Sequence, residues 1–402
     1  MKVFKFGGAS VKESKAVRNV AEILGRYKSG ELLVVISAMG KTTNSLENLV
    51  NAFYSGDTDI NPIFAEIKAF HYNIISELIP DSKAPIHTDI EDLFLEMECM
   101  LERGVGKDDY DMIYDQIVSY GELISTRIVS DYLQSAGIRN KWVDARNFII
   151  TDSTYREGRV NWEETSRIID RKLKPIAERS LVITQGFIGK DNFNNTTTLG
   201  REGSDYSAAI FAYCLKAESL TIWKDVAGVM NADPKRLADA VKLEQINYNQ
   251  AIELAYYGAS VIHPKTIQPL QSSDIPLYVS SFINPDEKGT VVNNDRSGGL
   301  PSCYIFKDEQ SLISVSTRNF SFIAEDNLGD LFTLFSECRI RINVMQNSAI
   351  SFSVCVDTDE RKINMLKERL SEDFIVSVTT GCMLVTVYNS NDKDDLVPVI
   401  GT

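Results

Sequence analysis

Lys5 stands inside a short β-prone run, Val3–Phe6, and is followed by Gly7, Gly8, Ala9 and Ser10. A strand, two glycines and a helix start gather backbone N–H groups and a mobile ammonium around one point, an arrangement that binds phosphate. The same residues also fit a plain strand-to-helix turn with a solvated lysine. Three further sets carry chemistry. Glu122, in Ser119–Thr126, has apolar neighbours on an amphipathic helix, where a carboxylate either pairs with a cation or is solvated. In Thr196–Asp205 two glycines flank Arg201, whose fork suits bidentate recognition of a carboxylate or phosphate. There Ser204 or Asp205 is expected to cap a small-residue helix, and Asp205 suits orienting a lysine or holding a metal. Trp223–Lys235 joins a strand end, an acid, a glycine turn and a basic residue, which fits a nucleotide loop. Gly40-Lys41-Thr42 imitates a P-loop ending, but Val35 occupies the position where that motif needs glycine.

The elements that must position these residues are legible as alternation. Ser10 with Glu13 forms a capping-box pattern opening a helix, and Leu32–Ile36 is an apolar run typical of a parallel strand covered on both faces. Residues 45–135 read as mostly helical. Strands return at 141–143, 181–184, 220–223 and 277–279, with helices at 206–216 and 248–257, so the chain to this point reads as an α/β sandwich. Turn formers crowd 284–302, and a boundary is expected there, giving 1–295, a linker over 296–304, and a smaller unit over 305–402. In the latter, strands at 311–316, 341–346, 350–356 and 382–388 alternate with helices at 327–339 and 359–370. That is the βαββαβ order of a ferredoxin-like unit.

Composition sets the class. Across 402 residues, 44% are hydrophobic and 24% charged, as in ordinary globular chains. The net charge of −14 repels phosphate backbones and anionic lipid, so nucleic-acid and membrane roles are not expected. Six cysteines without a CxxC pair read as reduced, mostly buried thiols, and three scattered histidines propose no zinc site. His263, before Pro264, reads as structural. With no apolar signal region at the N-terminus and no run long enough to span a bilayer, a cytoplasmic protein is expected.

Taken together, KFGGAS, SAMGKTTN, SYGELIST, TLGREGSD, WKDVAGV with ADPK, and GASVIHPKT resemble aspartate kinase, of the amino-acid-kinase fold, in order and spacing over residues 1–295. After 305 the element order and SFIAEDNLGDLF resemble a single ACT-type regulatory module. The resemblance implies an αβα sandwich followed by a βαββαβ module. The implied reaction is transfer of the γ-phosphoryl of ATP to the β-carboxylate of L-aspartate, giving 4-phospho-L-aspartate and ADP, a first step toward lysine, threonine and methionine. It further implies Lys5 and Asp205 as catalytic; Ser37, Thr43, Glu122, Arg201 and Ser204 around aspartate; and Lys5, Gly7, Gly8, Ser10, Lys224, Asp225, Met230 and Lys235 around the nucleotide. Mg²⁺ would arrive as MgATP rather than on protein ligands. A homodimer is expected through paired modules.

Four positions depart from the family: Glu202 where glycine is common, Lys224 for threonine, Met230 near a usual aromatic, and Ser260 for lysine. In the C-terminal module, a polar loop over 321–327 leads into a helix, and its free N–H groups suit an amino-acid carboxylate. Lysine or threonine is therefore expected near Asp326, Asn327, Ile342 and Asn343. The alternatives are that the acids only cap that helix, that the chain is another amino-acid kinase of the same fold, or that it is a non-catalytic amino-acid sensor.

Overall fold

The computed structural model describes residues 1–402 except 28–31, 57–58, 105–108, 260–261, 319–321, 324 and 391–402; the side chains of 325 and 326 are also undescribed. Two compact units are present. One comprises Met1–Val229, Lys242–Ile252 and Val261–Gly299; the other comprises Met230–Val241, Glu253–Ser260 and Leu300–Thr402.

The first unit is built on an eight-stranded sheet of β1 (Lys2–Phe6), β2 (Leu32–Ile36), β3 (Asn140–Trp142), β4 (Leu181–Gln185), β7 (Ser219–Lys224), β8 (Gln245–Asn247), β9 (Leu277–Ser281) and β10 (Thr290–Asn293). Its order is β3-β4-β2-β1-β7-β9-β10-β8, and every pair is parallel except β9 with β10. β2 and β4 are buried at every residue, which requires cover on both faces and explains their unbroken apolar runs. A separate hairpin pairs β5 (Ile188–Lys190) with β6 (Thr196–Thr198). The helices are α1 (Ser14–Gly25), α2 (Thr42–Ser55), α3 (Asn61–Leu78), α4 (Pro85–Glu102), α5 (Tyr110–Val118), α6 (Tyr120–Ser135), α7 (Trp162–Ile168), α8 (Lys174–Ala177), α9 (Gly203–Leu215), α11 (Pro264–Ser272) and, as far as Ile252, α10 (Tyr248–Tyr257). The result is an αβα sandwich whose central strand, β1, is hydrogen-bonded on both edges.

In the second unit, β11 (Cys303–Thr317), α12 (Glu325–Glu337), β12 (Ile342–Asn347), β13 (Ser351–Asp357), α13 (Glu360–Leu370) and β14 (Phe374–Tyr388) follow in βαββαβ order. The sheet order is β12-β13-β11-β14, with all pairs antiparallel. Alternate residues of its strands, Ile313, Val315, Phe352, Val354 and Val356, meet Leu331 and Phe335 of α12 and Ile363 and Leu366 of α13 in one core.

Several expectations need correcting. Ser10 caps no helix: Gly8–Val11 form a 3₁₀ turn, closed by Ser10 N–H donating to Gly7 C=O at 2.9 Å, and α1 begins only at Ser14. Neither Ser204 nor Asp205 caps α9. The cap position is Glu202, at φ +55° in the left-handed region, so both residues lie within the first turn. β11 and β14 each run to 15 residues, far beyond 311–316 and 382–388. The charged Lys307-Asp308-Glu309 and the glycine at 381 imitate strand ends, but a register shift between Lys307 and Gln310 absorbs the interruption. Only Cys303 and Cys338 of the six free thiols are buried. Among the described residues, no helix is long and apolar enough to cross a membrane.

Candidate active site

Parallel strands end where ligands bind, because their carboxyl ends and the following turns leave N–H groups and side chains free in one crevice. A cleft of about 700 Å³ lies there, lined by residues following β1, β2, β4 and β6. Lys5 reaches it from β1, with Val35 and Ile222 beside it in register. Its Nζ lies 2.6 Å from Oδ1 of Asp205, in the first turn of α9, and the Asp205 side chain is fully buried. Lys224 Nζ, at the end of β7, stands 3.6 Å from the other carboxylate oxygen. Burial alone would raise the Asp205 carboxyl, but the two ammonium groups outweigh it and hold the group below the ordinary aspartate value.

Glu122 also faces the cleft, and neither expectation for it holds. It is 2% exposed and forms no ion pair among the described residues. One oxygen accepts the Ala38 N–H at 3.2 Å, and the other, Oε2, has no hydrogen-bond partner among the described residues. Burial pushes its pKa up to about 8, against the pull of that N–H and of the Lys5 charge. The neighbouring Ser125 hydroxyl donates to Ser37 C=O at 2.7 Å, fixing the turn that carries Ser37. The approach is close: a Cβ at Gly8 would lie 2.8 Å from the carbonyl oxygens of Ala38 and Gly40, so only glycine fits under this turn.

Ser37, Thr43, Arg201 and Ser204 line the same cleft as Lys5, Glu122 and Asp205. Gly8 lines it too. Gly7 lies beside it, where a Cβ would meet Lys5 Nζ at 3.4 Å, and Ser10 is buried with a hydroxyl lacking a hydrogen-bond partner among the described residues. Asp225 is exposed in the turn after β7 and is not part of the lining, and Met230 and Lys235 belong to the second unit. Ser260 and the side chain of Asp326 lie outside the described residues. Ile342 and Asn343 lie on β12, and the Asn343 amide is engaged within the sheet, donating to Gln310 at 2.8 Å and Asp357 at 2.9 Å. The Lys307 ammonium donates to its carbonyl at 2.9 Å.

The motifs missed Glu47, Tyr114, Arg156 and Phe187, which also line the cleft, and the buried Asp115 behind it. Asp115 accepts the Thr198 N–H and hydroxyl, each at 2.7 Å, and the Arg156 N–H at 2.9 Å. It thereby ties α5 to β6, the strand that feeds the Arg201 loop. Burial raises its pKa to about 6.

A buried cation with its carboxylate, a bare acceptor and a forked cation around one crevice can neutralise a transferring phosphoryl group and hold a zwitterionic acid. Residues 1–281 match the Amino acid kinase family. This chain belongs to that family. Within it, this amino acid kinase falls among the aspartokinases. It is 32% identical over 359 residues to lysine-sensitive aspartokinase 3 of Escherichia coli (strain K12), covering 89% of this chain and 78% of the relative. Bifunctional aspartokinase/homoserine dehydrogenase 1, chloroplastic, of Zea mays is 28% identical, covering 94% of this chain and 42% of its own length, so the chain spans under half of that relative. The crystal structure of E. coli aspartokinase III in complex with lysine and aspartate superposes at TM-score 0.83, with 29% identity over 96% of this chain and 86% of that one. The structure of the same E. coli protein with aspartate and ADP superposes at 0.82, with 29% identity over 96% and 87%.

Proposed function

We propose that this amino acid kinase transfers the γ-phosphoryl of ATP to the β-carboxylate of L-aspartate, yielding 4-phospho-L-aspartate and ADP. The observation that carries the reading is the buried Lys5–Asp205 pair at 2.6 Å in the same cleft as the unpartnered oxygen of Glu122. Phosphoryl transfer depends on alignment and charge neutralisation more than on covalent chemistry by the protein. Lys5 stabilises the charge developing on the transferred group, and Asp205 holds the ammonium in place. Arg201 receives the α-carboxylate, Glu122 the α-ammonium, and Ser37, Thr43 and Ser204 complete the acceptor pocket. Gly7, Gly8 and Ser10 form the turn over the phosphates, with Lys224 and Asp225 toward the nucleotide and Met230 and Lys235 further along that stretch.

Mg²⁺ is expected with ATP. As MgATP it would take most of its ligands from the phosphates. A coupled ADP-release assay against a panel of amino acids tests the reading. Activity with aspartate alone is expected; activity with glutamate instead, or with none, overturns it. The second unit is proposed to bind lysine or threonine around Asp326, Asn327, Ile342 and Asn343, to pair with its copy in a cytoplasmic homodimer, and so to control flux into lysine, threonine and methionine synthesis. Calorimetric titration of each amino acid into the full chain, with sedimentation analysis, tests this. No heat from either, and no slowing of the enzyme, would refute it.

A further inference from the structure

Two arginines line the cleft, Arg156 and Arg201, and the function above employs only Arg201. Arg156 sits beside α2. Its guanidinium lies 3.6 Å from Glu47, four residues after Thr43, and residues so spaced share one helix face. Thr43 and Glu47 both line the cleft, so Arg156 stands on the acceptor side. Its other neighbour is Asp111, at 3.5 Å.

Both separations are long for a hydrogen bond, and among the described residues the guanidinium makes none. Five N–H donors are therefore unspent. Arg146 shows the contrast, since its fork is occupied by Asp144 at 2.7–3.1 Å. Arg156 is placed by its backbone and its stem instead. The backbone adopts φ +65°, a conformation sparsely used by non-glycine residues, and its N–H is held by the buried Asp115 carboxylate. The guanidinium rests over the Tyr114 ring, 4.4 Å from its centre. The group is thus aimed and anchored without using its donors.

Charge defines what it meets. Glu47, Glu122, Glu157, Glu202 and Asp205 line the cleft against Lys5, Arg156 and Arg201. An acceptor with two carboxylates entering such a field needs each cation present. Lys5 is buried beside Asp205, where the reacting carboxylate belongs, whereas the Arg156 side chain is 41% exposed at the mouth. Resting on the aspartate reading, we propose that Arg156 is a second recognition residue for the acceptor, receiving its α-carboxylate beside Arg201 and exchanging the two long ion pairs for it.

The test compares kcat/KM for L-aspartate and for its α-amide, whose β-carboxylate is intact, in the wild type, Arg156→Gln and Arg156→Lys. Arg156→Gln should lower the aspartate value about 10–100-fold, through KM, as expected for losing a hydrogen bond to a charged group. The α-amide value and the KM for ATP should not move, so the preference for the free acid collapses. Arg156→Lys should recover only part of it, because the charge returns without the fork. An equal loss for both acceptors, a preserved preference, or a matching rise in the KM for ATP would overturn the role. Should Arg156→Gln fail to fold, Arg156→Lys decides alone, by a partial loss confined to aspartate. A wild-type chain inactive with aspartate would instead remove the underlying reading.

Discussion

Glu122 offers the most direct test of the acceptor site, because its protonation must change when aspartate binds. The pKa of about 8, against an ordinary value of 4.5, means that roughly nine-tenths of the empty sites hold a neutral carboxyl at pH 7. An ammonium entering beside the unpartnered Oε2 needs the ionised form, so binding at pH 7 should release about 0.9 proton per site. Below pH 8 the apparent affinity should improve about tenfold per pH unit and then level off. The sign for stability is opposite. A folded pKa raised above the unfolded one gives a contribution that is full below about pH 4.5 and lost as pH rises through 8. Over that window it amounts to roughly 5 kcal/mol, and bound aspartate should restore part of it. Calorimetry of aspartate binding in two buffers of different ionisation enthalpy measures the proton release, and KM for aspartate from pH 6 to 8 measures the slope. Glu122→Gln should release no proton and show no slope. A flat profile in the wild type, or the same slope in the variant, would refute the assignment.

Lys5→Ala should lower kcat by about 10²–10³-fold, the usual effect of losing one preorganised transition-state contact. It should also destabilise the chain by about 3–5 kcal/mol, since buried Asp205 keeps only the more distant Lys224. Adding Asp205→Asn should return stability in urea without returning turnover. Arg201→Lys should raise KM for aspartate far more than KM for ATP, and equal changes would move Arg201 to the phosphate side. Asp115→Ala leaves two N–H groups and a hydroxyl without their acceptor, and should cost about 3 kcal/mol or more in a denaturant melt while raising KM for aspartate.

What was legible in the sequence was local. Apolar runs such as Leu32–Ile36 announced buried strands, and glycine-flanked polar clusters marked the turns after them. The βαββαβ order of the second unit followed from periodicity alone. Three-dimensional partners were not legible. The pattern around Glu122 leaves pairing and solvation both open, because nothing in its own helix shows that the turn after β2 closes over it. Asp115 and Arg156 carried no motif, as their roles come from a meeting of α5, β6 and a loop far apart in the chain. Ser10 and Ser204 misled for the converse reason. Hydroxyls near helix starts suggest caps, but the tight turn at Gly7–Ser10 and the left-handed Glu202 set those helix starts instead.

The central strand also governs the order in which this cleft can be made. β1 is paired with β2 on one side, but its other edge waits for β7, and Lys5 waits for Asp205. At a synthesis rate of about 5–20 residues per second, some 200 residues separate lysine from aspartate by roughly 10–40 seconds on the ribosome. Throughout that interval a wholly apolar β2 and a half-paired β1 are exposed to other nascent chains. The helices of residues 42–135 emerge within that interval, and α6, which packs against β2 in the finished fold, is available to cover that strand.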